Sequence, residues 1–315
     1  MSRVLSCKMQ LVPLKVFCMY TVNSQLPGEN SAYQTPVYWL KDSDADSSIA
    51  VLPDRGGILT EWIHQGKNIF YLDWERYQDP KMSIRGGNPI LFPICGNLPD
   101  NHYTENGVSY NLGQHGFARN MVWTVTDSGT EDNASITLSL DHTAETLAVY
   151  PFEFNLQYTY KIKGNCLAID TAFTNLSDRP MPFSAGFHPY FPASDKPKLQ
   201  FEIPAKNAIV DQKTQTKKPF NNSFDFAVDE IDWCFDELTG TSAVVTNKAA
   251  QTKLTLQYDK EYSTLVFWTL KDKPFYCLEP WSAPRNSMNT GNHLLSLAPG
   301  ETRSLRVVIT VDSIV

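Results

Sequence analysis

Two alternating segments separated by a short turn constrain the fold of this chain more than any other feature. In 152–162 apolar and polar side chains alternate with a period of two, and 167–173 repeats the pattern after Gly164-Asn165. A period of two places successive side chains on opposite faces of a strand. Gly-Asn is a dipeptide that commonly joins two strands. The pattern therefore predicts a β-hairpin with one buried face.

Further short alternating runs occur along the chain, separated by clusters of Gly, Pro, Asn and Asp. The clearest of them are 134–140, 252–258, 262–270 and 303–311. No stretch of ten or more residues carries a 3.6-residue apolar stripe, and 141–149 and 229–237 are interpreted as one or two helical turns. Many short strands without long helices predict an all-β fold, either a sandwich or a barrel.

The predicted domain organisation is one catalytic domain over 32–315. Hydrophobic residues make up 42% of the 315 residues, which is enough for one large core. The segment 193–225 is rich in Lys, Pro, Asn and Gln, but strand-like runs lie on both sides of it. We interpret it as a surface insertion or long loop of that single domain.

The segment 1–31 is predicted to be a disordered extension outside the fold. Its apolar run 11–20 resembles a signal peptide, but Pro13 and Lys15 interrupt it and no small-x-small cleavage site follows. No window of the chain has the 18 or more apolar residues of a membrane-spanning helix. We therefore expect no membrane partner.

The net charge limits the partners that we expect, and the cysteine spacing bears on the cellular location. The formal net charge of −7 argues against nucleic acid, although a few arginines would suffice to bind one small anion. The six cysteines form no C-x-x-C pair. They are expected to be reduced and mostly buried thiols, which favours a cytoplasmic location.

Two clusters in the first half of the chain combine arginine, histidine and glycine. In 85–98, the glycines after Arg85 would let the backbone approach a ligand while the guanidinium binds its oxygens; the alternative is a tight turn with a solvated arginine. In 113–123, His115 could bind a sugar hydroxyl and Trp123 could cover a pyranose ring. Arg119 is either a ligand contact or a buried ion-pair partner.

Two later clusters offer an acid and a base. In 183–192, burial among aromatic residues would lower the pKa of His188 and a carboxylate neighbour would raise it, which predicts a value near neutrality. The alternative is a histidine packed in an aromatic core. In 275–293, Glu279 ends an apolar run, so its carboxylate either enters a cavity or begins a turn before Pro280.

The four clusters, in this order, resemble the aldose 1-epimerase superfamily. The matching motifs are R-G-G-x-P followed by F-P and G, then Q-H-G-F-A-R, H-P-Y-F and E-P-W, which together span about 85–300. The resemblance implies an all-β fold of one domain, the large antiparallel β-sandwich called the galactose mutarotase-like supersandwich. It also implies an isomerase that interconverts the α and β anomers of a hexose without a metal or other cofactor.

Five residues acquire roles through this resemblance. It implies that Glu279 is the catalytic base and that His188, when protonated, is the catalytic acid. It further implies that Arg85 and His115 bind the substrate and that Asp232, in a D-x-x-F pattern, binds a sugar hydroxyl. Ring opening of a hemiacetal needs one group to remove the O1 proton and another to protonate the ring oxygen, so an acid and a base suit this chemistry.

Alternatives remain open in the sequence. The R-G-G and Q-H-G-F-A-R segments also resemble hexose-6-phosphate 1-epimerases, in which Arg85 and Arg119 would bind the phosphate. Against a phosphate site, Asn97 stands where a family arginine is common. A carbohydrate-binding module without activity would share the fold, and a glycoside hydrolase would need a carboxylate pair such as Asp232 and Glu279.

Overall fold

The computed structural model describes residues 19–28, 31–79 and 82–314. All strand pairings within these residues are antiparallel, which confirms the predicted all-β class. The strands are β1 (Tyr20–Gln25), β2 (Val37–Asp42), β3 (Ser47–Leu52), β4 (Ile58–His64), β5 (Lys67–Asn68), β6 (Ile90–Leu91), β7 (His102–Glu105), β8 (Val108–Asn111), β9 (Thr124–Gly129), β10 (Ala134–Asp141), β11 (Phe154–Lys163), β12 (Cys166–Asn175), β13 (Met181–Phe183), β14 (Gly186–Phe187), β15 (Tyr190–Pro192), β16 (Leu199–Glu202), β17 (Asn207–Asp211), β18 (Thr216–Pro219), β19 (Glu230–Phe235), β20 (Ser242–Asn247), β21 (Thr252–Tyr258), β22 (Thr264–Leu270), β23 (Phe275–Trp281), β24 (Leu295–Leu297) and β25 (Thr302–Ser313).

Helices are few and short in the described residues. The α-helices are α1 (Trp74–Gln78), α2 (Ala144–Val149) and α3 (Ser287–Thr290), and single 3-10 turns lie at Pro53–Arg55, Pro99–Asn101, Ala118–Asn120 and Lys196–Lys198. The longest of these, α2, has six residues, so none of the described helices could cross a bilayer.

Most strands belong to three sheets. The first sheet holds β1 to β5 in chain order, and the second has the order β16-β20-β21-β25-β12-β11-β10-β9. The third sheet has the order β18-β17-β19-β22-β23-β14-β6, with β15 also pairing with β23. The predicted hairpin is confirmed: β11 and β12 pair over ten positions, from Phe154 opposite Asn175 to Lys163 opposite Cys166.

One large core joins the three sheets. It includes Leu40 and Ile49 from the first sheet, Tyr158 from the second, and Phe267 and Leu278 from the third, all of them fully or almost fully buried. Burial of apolar surface on this scale is the main stabilising contribution to such a fold. Because side chains of the second and third sheets meet in this core, the two sheets form the layers of the predicted β-sandwich.

The two faces of β23 have different environments. Tyr276 and Leu278 pack into the large core, whereas Cys277 and Trp281 belong to smaller clusters on the opposite face. The period of two places Glu279 on the same face as Cys277 and Trp281. The third sheet therefore presents a buried carboxylate on the side away from the main core.

Three sequence interpretations need correction. The proposed extension 1–31 includes β1, which pairs over its whole length with β2, so residues 20–25 are part of the first sheet; residues 1–18 lie outside the described residues. The segment 193–225 contains the strands β16, β17 and β18 and is not a structureless loop. Residues 230–235, interpreted as helical turns, form β19, because pairing with β22 supplies backbone hydrogen bonds that a short helix would lack.

The cysteines of the described residues are free thiols. Cys95, Cys234 and Cys277 are buried and Cys166 is half-buried, in agreement with the expectation from sequence. Cys7 and Cys18 lie outside the described residues.

Candidate active site

A cavity of about 300 Å³ lies on the face of the third sheet that carries Glu279. All six residues selected from the sequence line it: Arg85, His115, Arg119, His188, Asp232 and Glu279. The remaining lining residues are Ser83, Ile84, Gln114, Tyr190, Glu230, Trp268, Trp281 and Arg285. A larger open groove of about 1260 Å³ lies elsewhere, but it contains none of the six predicted residues.

Glu279 and His188 reach the cavity from neighbouring segments of the third sheet. His188 lies between β14 and β15, and both of these strands pair with β23, which carries Glu279. The backbone N–H of His188 donates to the Pro89 carbonyl at 3.1 Å. The ring of Tyr190 stacks on the imidazole of His188 with centroids 4.8 Å apart, so both backbone and side chain of His188 are held in place.

The two groups are close enough to exchange a proton after a small adjustment. His188 Nε2 lies 3.5 Å from Glu279 Oε1, and the Trp281 indole N–H donates to Glu279 Oε2 at 3.1 Å. Burial raises the pKa of Glu279 well above its ordinary value, although the nearby Arg285 opposes this effect. Burial, with a smaller contribution from Arg119, lowers the pKa of His188 to about 3.

The prediction from sequence of a pKa near neutrality for His188 is therefore wrong. Burial disfavours charge on both partners, and its effect on the imidazole outweighs the proximity of the Glu279 carboxyl group. Both shifts favour a pair that holds a single proton, located on the carboxyl group.

His115 presents a hydrogen-bond donor to the cavity. Its Nδ1 accepts from the backbone N–H of Gly96 at 3.1 Å, and burial lowers the pKa of His115 well below its ordinary value. A neutral imidazole whose Nδ1 is an acceptor carries its proton on Nε2. The ring meets the edge of His188 with centroids 5.4 Å apart. His115 is thus suited to donate to a ligand oxygen.

The turn that orients His115 depends on Gly116. Both residues have positive φ angles, 65° and 69°, and a Cβ at Gly116 would overlap the Phe92 carbonyl oxygen.

We expect Gly116→Ala to lower the free energy of unfolding by about 3 kcal/mol, through backbone strain and overlap together. Urea denaturation measures this change. Gly107→Ala is the matched control, because it has a φ of 78° but open space around the Cβ and should cost only about 1 kcal/mol; equal losses for both variants would contradict the overlap.

Arg85 and Arg119 carry positive charge into the cavity without a partner carboxylate. The Arg85 guanidinium lies over the Trp268 ring at 5.8 Å, and Arg119 Nη2 donates to the Gln114 carbonyl at 2.8 Å. Within residues 19–28, 31–79 and 82–314 neither arginine forms an ion pair with an acidic side chain. The alternative of Arg119 as a buried ion-pair partner is therefore not supported in this part of the chain.

Asp232 is paired with an arginine that the sequence analysis did not select. Arg285 Nη2 lies 2.9 Å from both carboxylate oxygens of Asp232, and the guanidinium lies 5.2 Å from the centroid of the Trp281 ring. Burial raises the pKa of Asp232, with Arg285 opposing it. The available sequence signal was the position of Arg285 four residues after E-P-W, inside a cluster already interpreted as functional.

Other sequence interpretations are wrong in detail. Trp123 is buried in the main core, where its indole N–H donates to the Ala118 carbonyl, so the tryptophan rings that line the cavity are those of Trp268 and Trp281. A Cβ at Gly86 or Gly87 would overlap the chain near Leu72 or Leu59, so these glycines allow close packing of the protein against itself and not of a ligand.

One group of side chains in the described residues has the composition of a metal site. His188, Cys277 and Glu279 each offer a ligand atom, and the three atoms lie within 4.8 Å of one another. Two of them are the proposed acid and base, which can exchange protons without a metal. That the enzyme needs no cofactor stays a prediction.

The fold and this cavity define a class of protein: a β-sandwich that holds a largely buried histidine–glutamate pair in a cavity of about 300 Å³. A sequence model described as aldose 1-epimerase matches residues 40–310. Protein LacX, chromosomal, of Lactococcus lactis subsp. lactis is 30% identical over 270 residues, which cover 76% of this chain and 86% of LacX. The chain therefore belongs to the aldose 1-epimerase family and is an isomerase of the mutarotase type.

Two further similarities are to a solved structure and to a partly matching relative. The crystal structure of the Slr1438 protein from Synechocystis sp. PCC 6803 superposes with a TM-score of 0.86 at 41% identity and covers 88% of this chain and 96% of that one. A Cenchrus ciliaris protein provisionally named glucose-6-phosphate 1-epimerase is 30% identical over 157 residues, which cover 47% of this chain and 44% of the relative.

Proposed function

We propose that this enzyme interconverts the α and β anomers of an aldohexose by acid–base opening and closing of the ring, with Glu279 and His188 as the acid–base pair. The observation that carries this proposal is the 3.5 Å separation of His188 Nε2 and Glu279 Oε1 in the buried part of the cavity. A volume of about 300 Å³ lies at the lower end for ligand sites, which favours one monosaccharide over an oligosaccharide.

The single proton of the pair is sufficient for the whole cycle. Burial favours this proton on Glu279, and a bound sugar that donates its O1–H to the carboxylate would favour transfer of the proton to His188. Glu279 then removes the O1 proton while His188 protonates the ring oxygen, which breaks the bond from C1 to the ring oxygen. After rotation about C1–C2, both transfers run in reverse and the ring closes on the other face.

The remaining cavity residues would hold the sugar during these transfers. The Nε2–H of His115 can donate to a hydroxyl, and the rings of Trp268 and Trp281 offer apolar surface for the C–H face of a pyranose. These contacts would keep the open-chain sugar in place, so that the same pair closes the ring.

A hexose 6-phosphate is the second candidate substrate. Arg85 and Arg119 bring two charges into the cavity that no carboxylate of the described residues neutralises by an ion pair, and arginine binds phosphate with paired hydrogen bonds. The partial similarity to the Cenchrus ciliaris protein also supports this substrate class.

The hydrolase alternative has less support. A glycoside hydrolase needs two carboxyl groups that act on the glycosidic bond. Of the two candidates here, Asp232 is engaged by Arg285 through both of its oxygens, whereas Glu279 lies beside a histidine. This arrangement favours an acid–base pair of Glu279 and His188.

Anomeric equilibration tests the proposed function directly. We would follow freshly dissolved α-glucose, α-galactose and glucose 6-phosphate by polarimetry or anomeric-proton NMR at neutral pH, with and without the protein. Faster equilibration of one of them supports the proposal and identifies the substrate class. Binding without acceleration of any of the three would favour a carbohydrate-binding protein that has no activity.

The pH dependence of kcat/KM provides a second test. Because burial lowers the pKa of His188 to about 3 and raises that of Glu279, both shifts favour a pair that holds one proton. We therefore expect no inflection near the ordinary histidine pKa of about 6.5, and a decrease only in alkaline solution as the pair loses its proton. Rates corrected for spontaneous equilibration measure this profile. A decrease in rate below a midpoint near pH 6.5 would show that His188 titrates as an ordinary histidine.

A further inference from the structure

Arg285 lines the cavity and has a buried hydrogen-bonding group that has no partner among the described residues. The side chain is only 16% exposed and follows β23 in the turn before α3. Its Nη2 is occupied by Asp232, whereas Nη1 is buried and has no hydrogen-bond partner among the described residues. A buried N–H group without a hydrogen-bond partner is unfavourable. Because this group belongs to a residue that lines the cavity, its presence indicates that an oxygen of the ligand accepts its hydrogen bond.

The local structure holds Arg285 in this position from three sides. Asp232 binds the guanidinium, the ring of Trp281 lies beneath it, and Gly96 lies against its aliphatic carbons. A Cβ at Gly96 would overlap Arg285 Cγ. The absence of a side chain at position 96 therefore creates the space that the arginine occupies.

The pair of Arg285 and Asp232 differs in net charge from the other two arginines of the cavity. The charges of Arg285 and Asp232 compensate each other, so the pair offers hydrogen bonds with little net charge. Arg85 and Arg119 have no ion-pair partner in the described residues and would favour an anion. A neutral pair of donors and acceptors is suited to sugar hydroxyls.

We propose that Arg285 is a substrate-binding residue that donates from Nη1 to a hydroxyl oxygen of the sugar, and that Asp232 is a positioning residue that acts through Arg285. This inference rests on the proposed function, because it takes the ligand of the cavity to be a hexose. It differs from the role of direct hydroxyl binding that family resemblance implies for Asp232, since both oxygens of that carboxylate already accept from Arg285.

A double-mutant cycle on binding separates the two roles of Asp232. Dissociation constants for glucose and for glucose 6-phosphate would be measured by calorimetry or NMR with wild type, Asp232→Asn, Arg285→Met and the double variant. We expect Arg285→Met to raise Kd about tenfold for both sugars, because a charged donor to a ligand is lost. Asp232→Asn should raise Kd about fivefold in the wild type but less than about twofold when position 285 is Met.

Three results would overturn the proposal. If Asp232→Asn weakens binding by the same factor in both backgrounds, Asp232 binds the sugar independently of Arg285. If Arg285→Met leaves Kd unchanged for both sugars, Arg285 does not contact the ligand. Absence of binding of either sugar to the wild type would also exclude a hydroxyl site in this cavity.

Further variants distinguish the loss of a ligand contact from a purely structural effect. Gly96→Ala should reproduce the loss of affinity by displacing Arg285, while Gly107→Ala, with open space around its Cβ, should leave Kd unchanged. Thermal unfolding of each variant identifies any that fail to fold, and the double variant avoids an unpaired buried charge.

If the wild type binds sugars in the expected pattern but does not accelerate anomer exchange, the proposed function fails while the assignment of Arg285 remains.

Discussion

Glu279→Gln and His188→Asn are each expected to lower kcat by about 10³-fold and to leave sugar binding within about threefold of wild type. Each substitution removes one partner of the pair that moves protons, and the other partner cannot both accept the O1 proton and protonate the ring oxygen. Both replacements are close in shape to the native side chains, so the indole N–H of Trp281 keeps an oxygen acceptor in Glu279→Gln.

Matched controls make this prediction specific. Glu230→Gln changes another carboxylate of the cavity, one that accepts from the Trp268 indole N–H, and His142→Asn changes a histidine away from the cavity. Both controls should keep a kcat within about threefold of wild type. Near-normal rates in Glu279→Gln and His188→Asn would show that another pair carries out the chemistry.

Arg85→Met and Arg119→Met are expected to raise KM for glucose 6-phosphate by about 10- to 100-fold, and more than they lower kcat. The physical reason is that each arginine reaches the cavity without a carboxylate partner in the described residues, so its charge is available for a phosphate. Steady-state kinetics with glucose 6-phosphate and with glucose, measured side by side, tests this expectation. For glucose, the change in KM should be smaller than about threefold.

The comparison of the two sugars decides what the arginines bind. Arg303→Met serves as a control, because Arg303 pairs with Glu301 outside the cavity and should not affect either sugar. Equal increases in KM for glucose and glucose 6-phosphate would mean that Arg85 and Arg119 contact hydroxyls that both sugars share. A decrease in kcat alone would contradict a binding role.

Sequence reasoning was most effective where the signal is local. The period of two in 152–162 and 167–173 predicted a hairpin that the structure confirms over ten paired positions, because alternation reports directly on which face of a strand is buried. Glu279 was selected for a similar reason, since a carboxylate at the end of an apolar run requires a special environment. The motif resemblance then grouped the six cavity residues before any contact between them was visible.

Sequence reasoning was less effective where contacts between distant segments decide the outcome. Trp123 lies near His115 in sequence but belongs to the core, whereas the tryptophans that line the cavity are Trp268 and Trp281 of the third sheet. Arg285 was missed because its importance depends on Asp232, which lies 53 residues earlier, and on Gly96. Alternation does not encode which distant strands meet, so neither contact was visible in the pattern.

The sequence by itself determined the all-β class, the main hairpin and the types of side chain that the chemistry requires. Only the tertiary structure decided the directions in which the pKa values of His188 and Glu279 shift, because these depend on burial by strands distant in sequence. It also decided that β1 joins the first sheet and that Arg285 engages Asp232. Strand alternation depends on residues that are neighbours along the chain. The shape of the cavity, its charge and the pKa values of its groups depend on the packing of the whole fold.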